Sequence, residues 1–357
     1  MIKAVIAAGG KGTRIASVDP NVPKPMMKVA GKPVLVHQIE CLRRQGMTDI
    51  VITIGHLGDV IKNALNDGHE LGVNITYIEE KEPLGTAGAL YYLRGTADSP
   101  FLLLNGDIIF DVDIARFAAA HERYGGLVTV LTHPNDHPYD SGLISTDGNG
   151  KVTEWLHKED KRGWRFNRVN AGLHMISPRL LDRLSAPVKT DLDRDLLRPL
   201  IAEGELYAYD TPEYVKDMGT PERIRETERD ILCGLTRARN LSHKQRAIFL
   251  DRDGTINKYV GFVRREDQFE LLPGAAEAIA AINHSGRLAV VATNQPVIAR
   301  GETTRAQLDE IHAKMETLLG EKGAYIDGLY YCPHHPHKGY EGCLLYTSDA
   351  ADDLTRV

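Results

Sequence analysis

The sequence predicts an α/β protein: a doubly wound, mostly parallel sheet in the first two thirds, then a second and incomplete α/β unit. Two observations carry this. Short apolar runs of strand length alternate with helical patterns from the start of the chain, the rhythm of strands joined by crossover helices. The polar stretch Thr236–Gln245 then interrupts that rhythm, and a new apolar run begins at Ala247. With 357 residues, the chain has room for two domains at roughly 150 residues each.

Taken in order, Lys3–Ala8, Asp49–Ile54 and Phe101–Leu104 are apolar on consecutive positions, as strands covered on both faces must be. Pro33–Gln45 and Leu57–Asn66 carry helical spacing; Pro33 suits a first helical position and Gly46 a stop. Thr146-Asp-Gly-Asn-Gly150 is turn chemistry inside Ile144–Trp155, which predicts a hairpin. Glu222–Leu235 closes the first domain as a helix, and its charged start, Arg223–Asp230, reads as a solvated face. The expected division is residues 1–236 for the first domain, 237–245 for a linker and 246–342 for the second. In the second, strand Ala247–Leu250, helix Gly274–Ser285, strand Leu288–Thr293, helix Thr304–Leu319 and strand Ile326–Tyr331 follow one another. Residues 343–357 show no period, resemble the translation of a sequencing adapter, and are expected to be non-native.

Composition narrows the function classes. Hydrophobic residues make up 42% and charged residues 26%, values of an ordinary globular chain. A net charge of −6 offers no basic footprint for nucleic acid, so an anionic substrate has to be met locally. No apolar run approaches the ~20 residues that span a bilayer. The start lacks the layout of a signal peptide. Four scattered cysteines make no disulfide framework, so a cytoplasmic protein is expected. Nothing here bears on whether it forms a homo-oligomer.

A glycine-rich turn directly after a buried strand lets backbone N–H groups approach phosphate oxygens. Gly9, Gly10 and Gly12 fit that role, with Lys11 and Arg14 supplying charge. The ending is neither that of a Walker loop nor that of a dinucleotide fingerprint. The wider series resembles the sugar-1-phosphate nucleotidyltransferases: Ala8-Gly-Gly-Lys-Gly-Thr-Arg14, Pro23-Lys-Pro25, Leu84-Gly-Thr-Ala-Gly88, Asn105-Gly-Asp107, Asn170-Ala-Gly172 and Lys216-Asp-Met-Gly-Thr-Pro221. The resemblance spans about residues 1–235. It implies that Arg14 and Lys24 are catalytic, neutralising nucleotide phosphates, and that Ala8, Gly9, Gly10, Gly12, Thr13, Gly85, Gly88 and Asp107 bind the nucleotide. In this scheme Gly88 lets the base approach the backbone. Glu154, Lys158, Asn170 and Gly172 would hold the sugar phosphate, although the family's glutamate-lysine pair reads His157-Lys158 here. Asp107 and Asp217 would hold Mg²⁺, hard oxygen ligands for a hard cation.

Asp251-Arg-Asp-Gly-Thr255 after Ala247–Leu250 is a second signal. An aspartate at a strand end can attack phosphorus, and a second aspartate two residues on can serve as acid and base. With Thr293-Asn-Gln295, Ile298-Ala-Arg-Gly301 and Tyr331-Cys-Pro-His-His-Pro336, this half resembles haloacid-dehalogenase-type phosphatases acting on D-glycero-D-manno-heptose 1,7-bisphosphate. The resemblance implies Asp251 as nucleophile and Asp253 as acid/base, both beside Mg²⁺. It implies phosphate contacts from Thr293 and Asn294, and half of a structural Zn²⁺ site in Cys332 and His334. The family's later lysine and aspartate are absent from the chain.

The expectation is thus a bifunctional enzyme of activated-heptose synthesis for a surface glycan, with a nucleoside triphosphate (GTP) and sugar phosphates as its partners. The alternatives are a transferase for hexose or amino-sugar 1-phosphates, such as a mannose-1-phosphate guanylyltransferase or a uridylyl- or thymidylyltransferase, and a non-catalytic nucleotide-sugar-binding regulator.

Overall fold

The computed structural model describes residues 3–10 and 21–335. By its contacts the chain divides into two compact units. The first comprises residues 1–133, 144–155 and 170–244; the second comprises 134–143, 156–169 and 245–357. The second unit therefore takes in two segments that the sequence places inside the first domain.

The first unit is built on a nine-stranded sheet. Its leading strands are β1 (Ala4–Ala7), the short pair β2 (Lys28–Val29) and β3 (Lys32–Pro33), β4 (Asp49–Ile54), β5 (Asn74–Glu79), β6 (Phe101–Asn105) and β7 (Ile108–Asp111). Then come β8 (Val128–His133), β9 (Leu143–Thr146), β10 (Val152–Leu156), β11 (Val169–Ile176), β12 (Leu206–Asp210) and β13 (Tyr214–Asp217). The sheet runs β10-β9-β11-β6-β1-β4-β5, with β8 joining β11 to β12; β2–β3 and β7–β13 form separate ladders. Its helices are α1 (Val34–Arg44), α2 (Gly58–Leu65), α3 (Ile114–Tyr124), α4 (Arg198–Glu203), α5 (Pro221–Leu232) and α6 (Leu235–Ala238).

The centre is parallel as expected: β1 pairs with β4 on one side and β6 on the other. The whole is mixed, because β11 runs antiparallel to β6. Ala4 and Ile6 of β1 belong to one core and Val5 to the other, which is why a central strand reads as an unbroken apolar run. The predicted hairpin is present as β9 and β10, and Trp155 is buried in the core at its end.

The second unit has a three-stranded parallel sheet, β14 (Ala247–Leu250), β15 (Leu288–Asn294) and β16 (Gly328–Cys332), in that order, with helices α7 (Ala275–His284) and α8 (Arg305–Gly320). Thr304 caps α8 by accepting from the Gln307 amide, a capping box that fixes where the helix starts. The segment 156–169 is tied to α8. Glu316, 1% exposed, accepts from the Asn167 amide at 2.8 Å and pairs with Arg168 at 3.0 Å. The Thr317 hydroxyl accepts from the Arg165 amide at 2.9 Å and contacts its carbonyl at 3.0 Å.

Candidate functional site

At the C-terminal ends of β1, β4 and β6 the first unit holds a cavity of about 370 Å³. Ala8, Gly9 and Gly10 line one wall, Gly85 and Thr86 another, and Lys24, Gly106 and Asp107 a third. Ligands of open α/β sheets bind at this end of the strands.

Each wall is positioned by the backbone. The turn after β6 comes so close to β1 that a Cβ on Gly106 would lie 2.9 Å from the Ala7 carbonyl oxygen, to which the Gly106 amide donates at 2.9 Å. From α1, buried Gln38 donates to the carbonyls of Asn105 and Ile108, each at 2.8 Å, and so braces both sides of Asp107. Lys24, set in a short 3-10 turn between two prolines, reaches Asp107 as an ion pair. Across the β7–β13 ladder, Asp217 is in register with Ile108, and the Met218 amide donates to the Asp107 carbonyl at 2.9 Å. The two carboxylates expected to hold Mg²⁺ are thus brought to the same end of one ladder. Mg²⁺ is commonly held by one or two carboxylates plus substrate phosphates, so this donor set fits it.

The turn after β5 is fixed on a second segment. Thr190 donates from its amide to the Leu84 carbonyl at 2.9 Å and accepts from the Ala87 amide at 3.0 Å. Gly85 has φ of +78°, and a Cβ there would lie 2.5 Å from the Thr190 oxygen. Gly88 is buried, and a Cβ there would lie 2.3 Å from the Val188 carbonyl oxygen, so the chain's own backbone requires glycine at this position.

Glu80 was missed by sequence reasoning. It lies among charged residues that read as surface, yet its carboxylate lines the cavity. Its Oε1 would be 2.5 Å from a Cβ on Gly9, and its Oε2 accepts from the Leu84 amide at 3.0 Å. Burial raises its pKa above the ordinary carboxylate range, against a smaller lowering by the Leu84 amide.

On the sugar side, Asn170 and Gly172 stand together on β11, the Asn170 Oδ1 accepting from the Gly172 amide at 3.1 Å. Gly172 has φ of +75°, and a side chain there would strike Asn105, which lines the cavity. Glu154 is half-buried on β10, with β9 between it and β11. Lys158 is exposed and falls in the segment 156–169 of the second unit. Gly12, Thr13 and Arg14 lie outside the described residues.

In the second unit Asp251 follows β14 and is exposed, while Thr293 is buried at the end of neighbouring β15, followed by exposed Asn294. Between the two aspartates, Arg252 is fully buried and was not anticipated. It grips both oxygens of Asp253 (2.8–3.1 Å) and contacts His312 Nε2 at 3.1 Å. Gln295 donates to Asp253 at 3.0 Å and to the Thr293 hydroxyl at 3.0 Å. Asp253 therefore accepts hydrogen bonds from two side chains, Arg252 and Gln295. Cys332 ends β16 and His334 follows it, both half-buried, and among the described residues no three His, Cys, Asp or Glu side chains converge as a metal cluster. Two ligands do not fit the four-coordinate zinc of structural sites.

The nucleotidyl transferase family model matches residues 3–233. The chain belongs to that family. It is 32% identical over 240 residues to a probable mannose-1-phosphate guanylyltransferase 3 of Oryza sativa subsp. japonica, covering 66% of this chain and 64% of that protein. It is also 32% identical over 225 residues to the mannose-1-phosphate guanyltransferase of Schizosaccharomyces pombe, covering 62% of each. The chain thus spans under two thirds of the length of these relatives. Among solved structures, HddC from Yersinia pseudotuberculosis is similar over 65% of this chain and 100% of its own, at a TM-score of 0.58 and 27% identity. The same protein complexed with GMP-PN aligns at a TM-score of 0.56 and 25% identity. Among the described residues no helix is long and apolar enough to cross a membrane.

Proposed function

We propose that the first unit transfers GMP from GTP to a sugar 1-phosphate and releases pyrophosphate. The observation that carries the choice of nucleotide is Glu80 in the cavity wall. A carboxylate is acceptor-only. Guanine presents N1–H and the exocyclic amino group side by side, two donors that one carboxylate can take together. Uracil and thymine place a single N–H between carbonyls, which a carboxylate repels, and adenine offers an acceptor at N1. The guanyltransferases among the relatives, and the structural neighbour complexed with GMP-PN, support the same choice. The mannose-1-phosphate guanyltransferases among the relatives favour mannose 1-phosphate over the heptose 1-phosphate expected from the second half.

Catalysis is positioning and charge neutralisation. Lys24 is within reach of both Asp107 and an entering phosphate, so it can turn from one anion to the other. Asn170 and the Gly172 backbone offer hydrogen bonds to the sugar. Mg²⁺, held by Asp107 and Asp217, would supply charge for the departing pyrophosphate.

A panel of GTP, ATP, UTP, dTTP and CTP with mannose, heptose and glucose 1-phosphates, read by pyrophosphate release, tests this. GTP with mannose 1-phosphate should lead, and Glu80→Gln should erase the preference for GTP. Because burial raises the Glu80 pKa, GTP use should weaken on the acid side at higher pH than for an ordinary glutamate. Equal use of UTP by the unaltered protein would overturn the assignment.

A second reading attaches to the second unit. Asp251 stands exposed at the end of a parallel strand with Thr293 at the end of the next, the placement of an aspartyl nucleophile for a phosphomonoester. Asp253, gripped by Arg252, would first have to exchange that partner to act as an acid.

A further inference from the structure

Arg223 belongs to the charge run that reads as a solvated face, yet its side chain is only 15% exposed. It stands in the first turn of α5, its amide donating to the Thr220 hydroxyl at 3.3 Å. From there Nη1 meets both oxygens of Asp217, at 2.9 and 2.8 Å. The pair folds over Gly219: a Cβ there would lie 2.3 Å from Asp217 Oδ1 and 3.1 Å from Arg223 Nη1. Asp107 has the matching arrangement with Lys24, whose side chain is also 15% exposed.

Two carboxylates are therefore balanced by two mostly buried cations. A dication approaching that set meets no net negative charge, and Coulomb repulsion from the two cations opposes it. A triphosphate changes the balance by bringing several negative charges of its own. The two counter-cations also differ. Lysine is a flexible point charge that can swing to a phosphate, whereas the guanidinium is a rigid fork fixed here to a helix.

We propose that Arg223 is a positioning residue that keeps Asp217 neutralised in the free protein, so that the divalent cation enters with the triphosphate and not ahead of it. This rests on reading Asp107 and Asp217 as the metal pair. In the loaded site Arg223 would remain beside Asp217, which together with Asp107 would hold the cation.

Mn²⁺ titration of the full chain, followed by electron paramagnetic resonance with and without a non-hydrolysable GTP analogue, tests this directly. The unaltered protein should bind Mn²⁺ poorly alone and well with the analogue. Arg223→Met should bind Mn²⁺ at least tenfold tighter without nucleotide, while Arg223→Lys should behave like the unaltered protein. Arg223→Gln gives the same reading if Arg223→Met loses its fold. Nucleotide-free affinity unchanged within twofold in both neutral variants would overturn the proposal. Asp217→Asn separates the two levels. If it leaves Mn²⁺ binding with the analogue intact, the metal pair itself is wrong; if it abolishes that binding while the Arg223 variants change nothing, only the role of Arg223 is.

Discussion

Two four-residue apolar strands, β1 and β14, each lead into a turn that carries phosphate chemistry, and they sit in opposite surroundings. β1 is paired on both edges, and Ala4, Val5 and Ile6 are 0–1% exposed. Among the described residues β14 pairs with β15 alone; Ile248 and Leu250 are half-buried and Phe249 is 71% exposed. The two runs look alike in sequence because an apolar strand states only that it should be covered. Whether the cover is there depends on other segments. The turn that carries Asp107 is braced by Gln38 and by contact with β1. After β14, Asp253 is held instead by the side chains of buried Arg252 and Gln295.

The largest expected difference is chemical. Asp107→Asn should lower pyrophosphate release on the order of 10²-fold or more, with the fold intact, since it removes one of the two carboxylates proposed to hold Mg²⁺. Asp251→Asn should change nothing measurable, because no third carboxylate joins Asp251 and Asp253 among the described residues and bisphosphatase turnover should be negligible. Turnover on a sugar bisphosphate that Asp251→Asn abolishes would break the comparison and establish the second site as complete.

Stability should follow the same contrast. Ile6→Ala empties a site with no solvent access and should cost about 3 kcal/mol. Phe249→Ala should stay within about 0.5 kcal/mol, as for other exposed positions. Denaturant unfolding of the two variants decides it. A cost for Phe249→Ala near that of Ile6→Ala would mean that this face of β14 is covered in solution, for instance by a second copy of the chain.

The same contrast marks what the sequence could and could not disclose. Strand Asp49–Ile54 was legible to the residue, and α1, α2, α5, α7 and α8 to within one to three residues at each end, because apolar period reports burial directly, whereas α3, α4 and α6 were not anticipated. β11 was not recognised as a strand: Val169–Ile176 carries Asn, Gly and His, and its antiparallel course makes the sheet mixed. The motif residues were legible as motifs, yet their partners were not. Gln38, Glu80, Arg223 and Arg252 are polar residues on helices, in charge runs or between aspartates, where exposure is the ordinary expectation. Each is placed by a contact far away in sequence or by a backbone approach that only the folded chain defines. The docking of 156–169 on α8 left no trace, because Asn167 and Arg168 carry no period.

The smallest expected effect compares two buried histidines, one in each unit. His174 on β11 is fully enclosed, and burial pushes its pKa down to about 4. His312 on α8 is pushed down to about 3, by burial first and then by Arg252, whose Nη1 donates to its Nε2. Both are neutral in the fold and have an ordinary value of 6.5 when unfolded. Below that value the unfolded chain takes up a proton that the folded chain refuses. Stability therefore falls as pH falls, by up to about 1.4 kcal/mol per pH unit for each group, and levels off only below the folded pKa. At pH 5 each histidine should have cost its unit roughly 2 kcal/mol relative to pH 8. Unfolding midpoints at pH 8, 6 and 5 should show this, and His312→Gln should flatten the slope of the second unit while leaving that of the first. A slope unchanged by His312→Gln would mean that burial beside Arg252 does not keep this imidazole neutral in the fold.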